Sequence, residues 1–328
     1  MMKINLNSIA KNSVDIFYRL RWSGQVCCPE CGSVHVYNPE AGKLHICADC
    51  DCRFSDTSGT IFHCTKLGLD KWLQAIYLFL QTTRGISSYG MARIIGVSQT
   101  TAWSMLTKIR SALEIELNVP DGAILDEVFL GGDWKRKPAY EKLKKVAAPP
   151  AHWNLTDKER KDYYRSEIFR LSSEAKMPVL GIRSICDSQL SLLSFDIKHK
   201  KEFIQDQINE LYGVPDKPIV IVTDQANCYN FLSADDNNFN HQICNHDKGK
   251  YKSQDGYSSN GLEGAFAHLK RMWRGTYQMW SNKYNQYYLN EFCWRYNHKS
   301  QSILDKFNLF FDYIDPRKLH FANQITTN

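Results

Sequence analysis

Four cysteines constrain this chain more than any other feature: Cys28-Pro29-Glu30-Cys31 and, sixteen positions on, Cys47-Ala48-Asp49-Cys50. A C-x2-C-x15-C-x2-C spacing sets two thiolate pairs on two tight turns, and such pairs close around one tetrahedral zinc. Four protein ligands leave no open coordination position, so Cys28, Cys31, Cys47 and Cys50 predict one structural Zn2+. A segment this small has little core of its own and unfolds without its metal. Residues 33–37 and 43–46 read as short strands around a turn at 38–42, the pattern of a zinc ribbon. Seven of the 11 cysteines fall between Cys27 and Cys64, a clustering that points to metal in a reducing compartment rather than a disulfide framework. Either Cys27 or Cys52 can replace a neighbouring ligand at this level of reading, and Cys64 reads as a small packed hydrophobe.

At 328 residues the chain is long enough for two or three domains. Four segments are expected: an N-terminal part with the ribbon (1–62), a helical DNA-binding domain (63–118), an α/β catalytic domain (119–300) and a C-terminal tail (301–328). The formal charge of +6 is small for this length, so any nucleic-acid contact must rest on local basic patches. The start of the chain lacks the apolar run of a secretory signal, and no stretch of about 18 apolar residues suggests a membrane span. A cytoplasmic protein, nucleoid-associated when on DNA, is expected.

Residues 69–80 read as a buried helix. Ser87 opens a second helix through Ile94, Ile95-Gly96-Val97 turns, and Ser98 caps a third from Gln99 toward Leu113. This is a helix-turn-helix arrangement. It puts Gln99, Thr100 and Thr101 where a recognition helix meets base edges, with Lys108 and Arg110 nearer the phosphates. Trp103 and Leu106 read as core.

After residue 118 the periodicity changes. Strands are expected at 123–130, 179–186 and 190–197, then a helix at 201–211 and a continuously apolar strand at 218–224. A short helix (228–232), a strand near 242–244 and a helix opening at Ser259 or Asn260 complete the order of an RNase H-like domain. In that order Asp126 lies on the first strand, Asp224 ends the central parallel strand and Glu263 sits on the following helix. Three convergent carboxylates hold two Mg2+ or Mn2+ ions for phosphoryl transfer. Glu127, adjacent to Asp126, points to the other sheet face and is at best a supporting residue. Glu263, Lys270 and Arg274 share one helical stripe, so a carboxylate and two cations face a phosphate backbone together. An insertion at 133–178, basic at its start (Lys135, Arg136, Lys137, Lys142, Lys144, Lys145), reads either as a mobile loop that lies on a nucleic-acid backbone or as a merely solvated one, and His246 as a residue of the surface near the site. Glu291 and Arg295, one turn apart, read as ordinary helix support.

Together these pieces resemble insertion-sequence transposases that join an N-terminal zinc ribbon to an ISXO-like DDE catalytic domain. The resemblance is carried by the Cys-Pro-x-Cys ribbon, Gly59-Thr60-Ile61-Phe62, Gly96-Val97-Ser98, Asp126-Glu127, Gly131-Gly132, Thr223-Asp224, Glu263-Gly264, Leu269-Lys270-Arg271, Gly275-Thr276-Tyr277 and Arg295-Tyr296-Asn297. It implies Asp126, Asp224 and Glu263 as the metal-binding triad, and Lys270 as a contact to the DNA end. It implies double-stranded DNA as partner, both element ends and target, and a homo-oligomer that pairs two ends. The rivals are an RNase H-like nuclease without strand transfer and a non-enzymatic DNA-binding protein derived from a transposase.

Overall fold

The computed structural model describes residues 5–113, 117, 119–131, 148–150, 153, 155–174, 176–233, 238–244, 253, 255–278 and 280–314. The chain divides into two compact units, one of residues 1–116 with 287–328 and one of residues 117–286. Residues 287–300, expected with the catalytic segment, and the described part of the tail therefore belong with the N-terminal unit.

The first unit opens with α1 (Leu6–Trp22), a helix the sequence reading passed over. Its start is fixed by reciprocal capping: Asn5 Oδ1 accepts from Ser8 N at 2.9 Å, and Ser8 Oγ accepts from Asn5 N at 3.0 Å. Three short antiparallel strands follow in sequential order, β1 (Val36–Tyr37), β2 (His45–Cys47) and β3 (Arg53–Phe54). Asp56 ties them to α1, its carboxylate meeting Trp22 Nε1 at 2.7 Å, Gly42 N at 2.7 Å and His45 Nε2 at 2.9 Å.

Helices α2 (Leu69–Gln81), α3 (Ser88–Ile95) and α4 (Gln99–Ser111) come next. Ser87 accepts from Gly90 N at 3.1 Å and Ser98 from Thr101 N at 3.1 Å, so both helix starts are capped where the sequence placed them. Between them Gly96 closes α3 at φ +69°, a left-handed cap that suits glycine. The core of this unit joins Phe17 of α1, Phe62 of the turn before α2, Trp72 and Phe79 of α2, and Leu106 and Ile109 of α4. Trp294, Phe307 and Phe311 complete it from the last two helices of the chain.

The second unit is built on a five-stranded mixed sheet. Its strands are β4 (Gly122–Gly131), β5 (Lys176–Ser184), β6 (Leu190–Ser194), β7 (Ile219–Thr223) and β8 (Phe239–Ile243), in the spatial order β6-β5-β4-β7-β8. β4, β5 and β6 pair antiparallel, whereas β7 runs parallel to both β4 and β8. The apolar run of β7 is explained by that central position, with a neighbour on each edge. Between β4 and β5 lies α5 (Asp157–Glu174), so this part of the expected loop at 133–178 is helical. Thr156 starts it by donating its N–H and hydroxyl to Glu159 Oε2 at 2.9 and 2.6 Å. The basic residues 135–145 of that insertion lie outside the described residues, as does His246.

One face of the sheet is covered by α6 (Lys200–Tyr212) and a 3-10 turn (Asn227–Ser233), whose Ile204, Ile208, Tyr229 and Leu232 pack on Ala123, Leu125, Leu180 and Ile221. The other face receives α7 (Asn260–Arg271), which runs on into a π-helical turn (Met272–Thr276). α7 buries the stripe Leu262, Ala265, Phe266 and Leu269. The approach is close at Gly181, where a Cβ would lie 2.7 Å from two ring atoms of Phe266 and 2.9 Å from Leu262 Cδ1. The chain then continues into α8 (Asn285–Asn297) and α9 (Ile303–Ile314).

Candidate metal centre

Asp126 lies mid-way along β4 and pairs in register with Gly181 of β5. Directly opposed residues point to the same side of a sheet, so Asp126 faces the side on which α7 packs. The parallel register sets Ile124 against Val222; two residues on, Asp126 is level with Asp224, the first residue after β7. Asp224 is held at that strand end by its own turn, its Oδ1 accepting from Ala226 N at 3.0 Å.

Asp126, Glu127 and Asp224 each bring one carboxylate oxygen within 4.8 Å of the others. Such crowding leaves its mark on Asp126, whose carboxyl is pushed up to about 6. Burial is the main cause, and the charges of Glu127, Asp224 and Glu263 add to it against a hydrogen bond from Glu127 N. Glu263, on α7, is exposed and accepts from Ser259 Oγ at 2.8 Å. Its charge is felt at Asp126, but it stands outside the compact cluster of three. The donor set is all oxygen and carries excess negative charge, which fits a hard divalent cation.

Glu127 keeps the expected parity, facing α6, but is more than a bystander. Its Oε1 receives the Tyr229 hydroxyl at 2.7 Å and the Lys200 ammonium at 2.9 Å. Burial pushes the Lys200 amine down, yet the hydrogen bond and charge of Glu127 outweigh it, so the amine ends above its ordinary value. Burial first, then Glu127, hold the Tyr229 hydroxyl well above its usual range. Neither partner was legible in the sequence: Lys200 sits in a run of surface lysines, and Tyr229 in a short turn.

In the ribbon, Cys28, Cys31, Cys47 and Cys50 gather within 4.8 Å of one another. Cys28 and Cys50 sulfurs are 3.6 Å apart, and those of Cys31 and Cys47 3.5 Å. Thiolates at about 2.3 Å from a tetrahedral zinc stand about 3.8 Å apart, so the set fits such an ion. Two like turns present them, closed by Gly32 N to Cys28 O at 3.0 Å and Asp51 N to Cys47 O at 3.1 Å. Cys27 and Cys52 are half-buried against the ribbon core rather than in the cluster. Cys64, expected to be packed, is exposed, in a turn where its φ is +54°.

Of the residues expected to meet DNA, Thr100 and Lys108 are exposed on α4, and Lys270 and Arg274 on α7 and the turn after it. Gln99 and Thr101 are half-buried; Gln99 Nε2 donates to Ser88 Oγ at 2.9 Å, and Thr101 Oγ1 lies 2.8 Å from Ser98 Oγ. Arg110 is a correction. It is 2% exposed, its Nε donates to Glu291 Oε2 at 2.6 Å, and its guanidinium lies over the Tyr288 ring at 4.1 Å. Arg295 joins the same carboxylate, donating from Nη2 to Glu291 Oε1 at 2.7 Å. The helical phase places Arg110 beside Leu106 and Ile109 on the inner stripe, where a cation needs a partner. That partner is 181 positions away, in the Glu291–Arg295 pair that read as ordinary helix support.

Residues 139–297 match the family model of the ISXO2-like transposase domain. A relative from Halobacterium salinarum, described as an uncharacterized protein in transposable element ISH50, is 22% identical over 281 residues. That alignment covers 83% of this chain and 86% of the relative. The resemblance to insertion-sequence transposases is thereby borne out.

Proposed function

We propose that this chain, which carries an ISXO2-like transposase domain, is the DNA transposase of an insertion sequence. It binds the inverted-repeat ends of its element, hydrolyses a phosphodiester bond there and joins the freed 3′-OH to target DNA. The observation that carries this reading is the level placement of Asp126 on β4 and Asp224 just past the end of the neighbouring parallel strand β7, with a third carboxylate oxygen within 4.8 Å. The strand order β6-β5-β4-β7-β8 supports an RNase H-like core. A pair of Mg2+ or Mn2+ ions, when bound, supplies the Lewis acidity that activates an attacking oxygen and stabilises a leaving one.

The chain's own residues do the rest. Asp126 and Asp224 are the two ligands, and Glu263 supplies a carboxylate from the facing helix. Lys270 and Arg274, seven and eleven positions after Glu263, share its exposed stripe and run a strand of phosphates past the carboxylates. Thr100 and Lys108 present the exposed side of a helix-turn-helix to duplex DNA, with Gln99 and Thr101 at its capped start. The four ribbon thiolates hold one zinc that keeps this end-binding unit folded. Pairing two ends requires a homo-oligomer. Among the described residues no helix is long and apolar enough to cross a membrane, and a cytoplasmic, DNA-associated protein is the reading we adopt.

The test is joining of a pre-cleaved element end to plasmid DNA in Mg2+, with wild type beside Asp224→Asn and Glu263→Gln. Joining by wild type that is lost in both variants is expected. Cutting without joining would instead favour a nuclease, and binding without either reaction a DNA-binding protein derived from a transposase.

A further inference from the structure

Glu127 is a charged side chain only 7% exposed, and its hydrogen bonding is lopsided. Tyr229 OH at 2.7 Å, Lys200 Nζ at 2.9 Å and Cys228 Sγ at 3.8 Å all converge on Oε1. Among the described residues no donor reaches Oε2. Oε2 is not among the buried polar atoms that lack a partner, so it is not sealed in the core as an orphaned charge. Glu127 instead offers a carboxylate oxygen within 4.8 Å of one each from Asp126 and Asp224. The clasp on Oε1 is anchored on both sides of the active strand ends: Lys200 opens α6, and Tyr229 lies in the 3-10 turn just after Asp224.

We propose that Glu127 is a further ligand of the metal centre, with Lys200 and Tyr229 as its positioning residues, so that Asp126, Glu127 and Asp224 take the first divalent cation. This rests on the metal-dependent reading above and adds to it one carboxylate and the two groups that aim it. Fixing one oxygen by hydrogen bonds orients the other, as partners behind a ligand commonly do. The Lys200 ammonium also offsets the repulsion among three crowded carboxylates, which lets Asp126 and Asp224 remain ready for a cation. Glu263, exposed on α7, then completes the site from the DNA side.

The test is Mn2+ binding to the full-length, zinc-loaded chain, read from the EPR signal of free Mn2+ without any DNA. Glu127→Gln keeps the size of the side chain and removes its charge; Tyr229→Phe removes only the positioning hydroxyl; Asp224→Asn is the reference. Each is expected to weaken Mn2+ binding about tenfold or more, with cooperative unfolding retained. Wild-type affinity in both Glu127→Gln and Tyr229→Phe, beside a loss in Asp224→Asn, overturns the proposal and leaves Glu127 as the partner of Lys200 alone. Should Glu127→Gln fail to fold, unchanged affinity in Tyr229→Phe overturns it by itself. If the wild type joins no DNA while the Mn2+ pattern holds, the transposase reading fails and this metal site stands.

Discussion

Gly181→Ala reports directly on how the fold builds the carboxylate cluster. Gly181 pairs with Asp126 in the sheet, and the added Cβ would sit 2.7 Å from Cε1 and Cζ of Phe266 and 2.9 Å from Leu262 Cδ1. Ordinary carbon contacts lie at about 3.5–4.0 Å, so α7 has to retreat by roughly 1 Å. Neither neighbour can swing aside, because Leu262 is fully buried and Phe266 nearly so. Overpacking of this kind costs about 1–3 kcal/mol, or about 2–4 °C in Tm for each kcal/mol in a unit this size. Glu263 rides on α7 and withdraws from Asp126 by the same distance. The expected result is thus a lower Tm by calorimetry, faster hydrogen exchange along α7, and a larger fall in DNA joining than in DNA binding. Phe266→Leu removes both ring atoms that clash, so adding it to Gly181→Ala should recover part of the loss, a coupling that distant sites would not show. A Gly181→Ala protein with wild-type Tm and joining, or strictly additive effects of the two substitutions, would refute the reasoning.

Other expectations follow from the same structure. Arg110→Ala leaves Glu291 partly unpaired in the core and should cost about 3–5 kcal/mol by urea unfolding. Lys108→Ala should cost little stability and lower the salt dependence of DNA binding by about one ion. For Asp126 the folded carboxyl titrates at about 6 and the unfolded one at about 3.9. The folded state therefore holds this proton more tightly, and the associated stability is full below pH ~3.9 and lost as pH rises through about 6. Asp126→Asn should hence be more stable than wild type at pH 7.5 in buffer free of added divalent cations, by ~2–3 kcal/mol, and the gap should close toward pH 4 and on adding Mn2+. Cys31→Ser should release the bound zinc, read by atomic emission, and the ribbon amides should lose their exchange protection while those of the second unit keep theirs.

Much of the site was legible because its signals are local. The cysteine spacing defines two like turns, and the turns bring the sulfurs together wherever the ribbon lies. Ser87, Gly96 and Ser98 mark helix ends through hydrogen bonds that span three or four residues. The alternation along β4 separates Asp126 from Glu127, and the apolar run of β7 marks a strand with neighbours on both edges. These properties depend on backbone geometry within a few residues.

What only the tertiary structure decided depends on partners far away in the chain. Arg110 looks like a phosphate contact until Glu291, 181 positions on, meets it in the core. Glu127 looks like a spare carboxylate until Lys200 and Tyr229 reach it from two other elements. Gly181 looks like any glycine in a strand until α7 packs on it. Charge and burial at each of these positions are set by what folds against it, and a buried charge takes its role from its partner. The sequence by itself therefore determined most of the elements and the candidate ligands, whereas packing decided which charges stay exposed, which face the core, and which carboxylates crowd together.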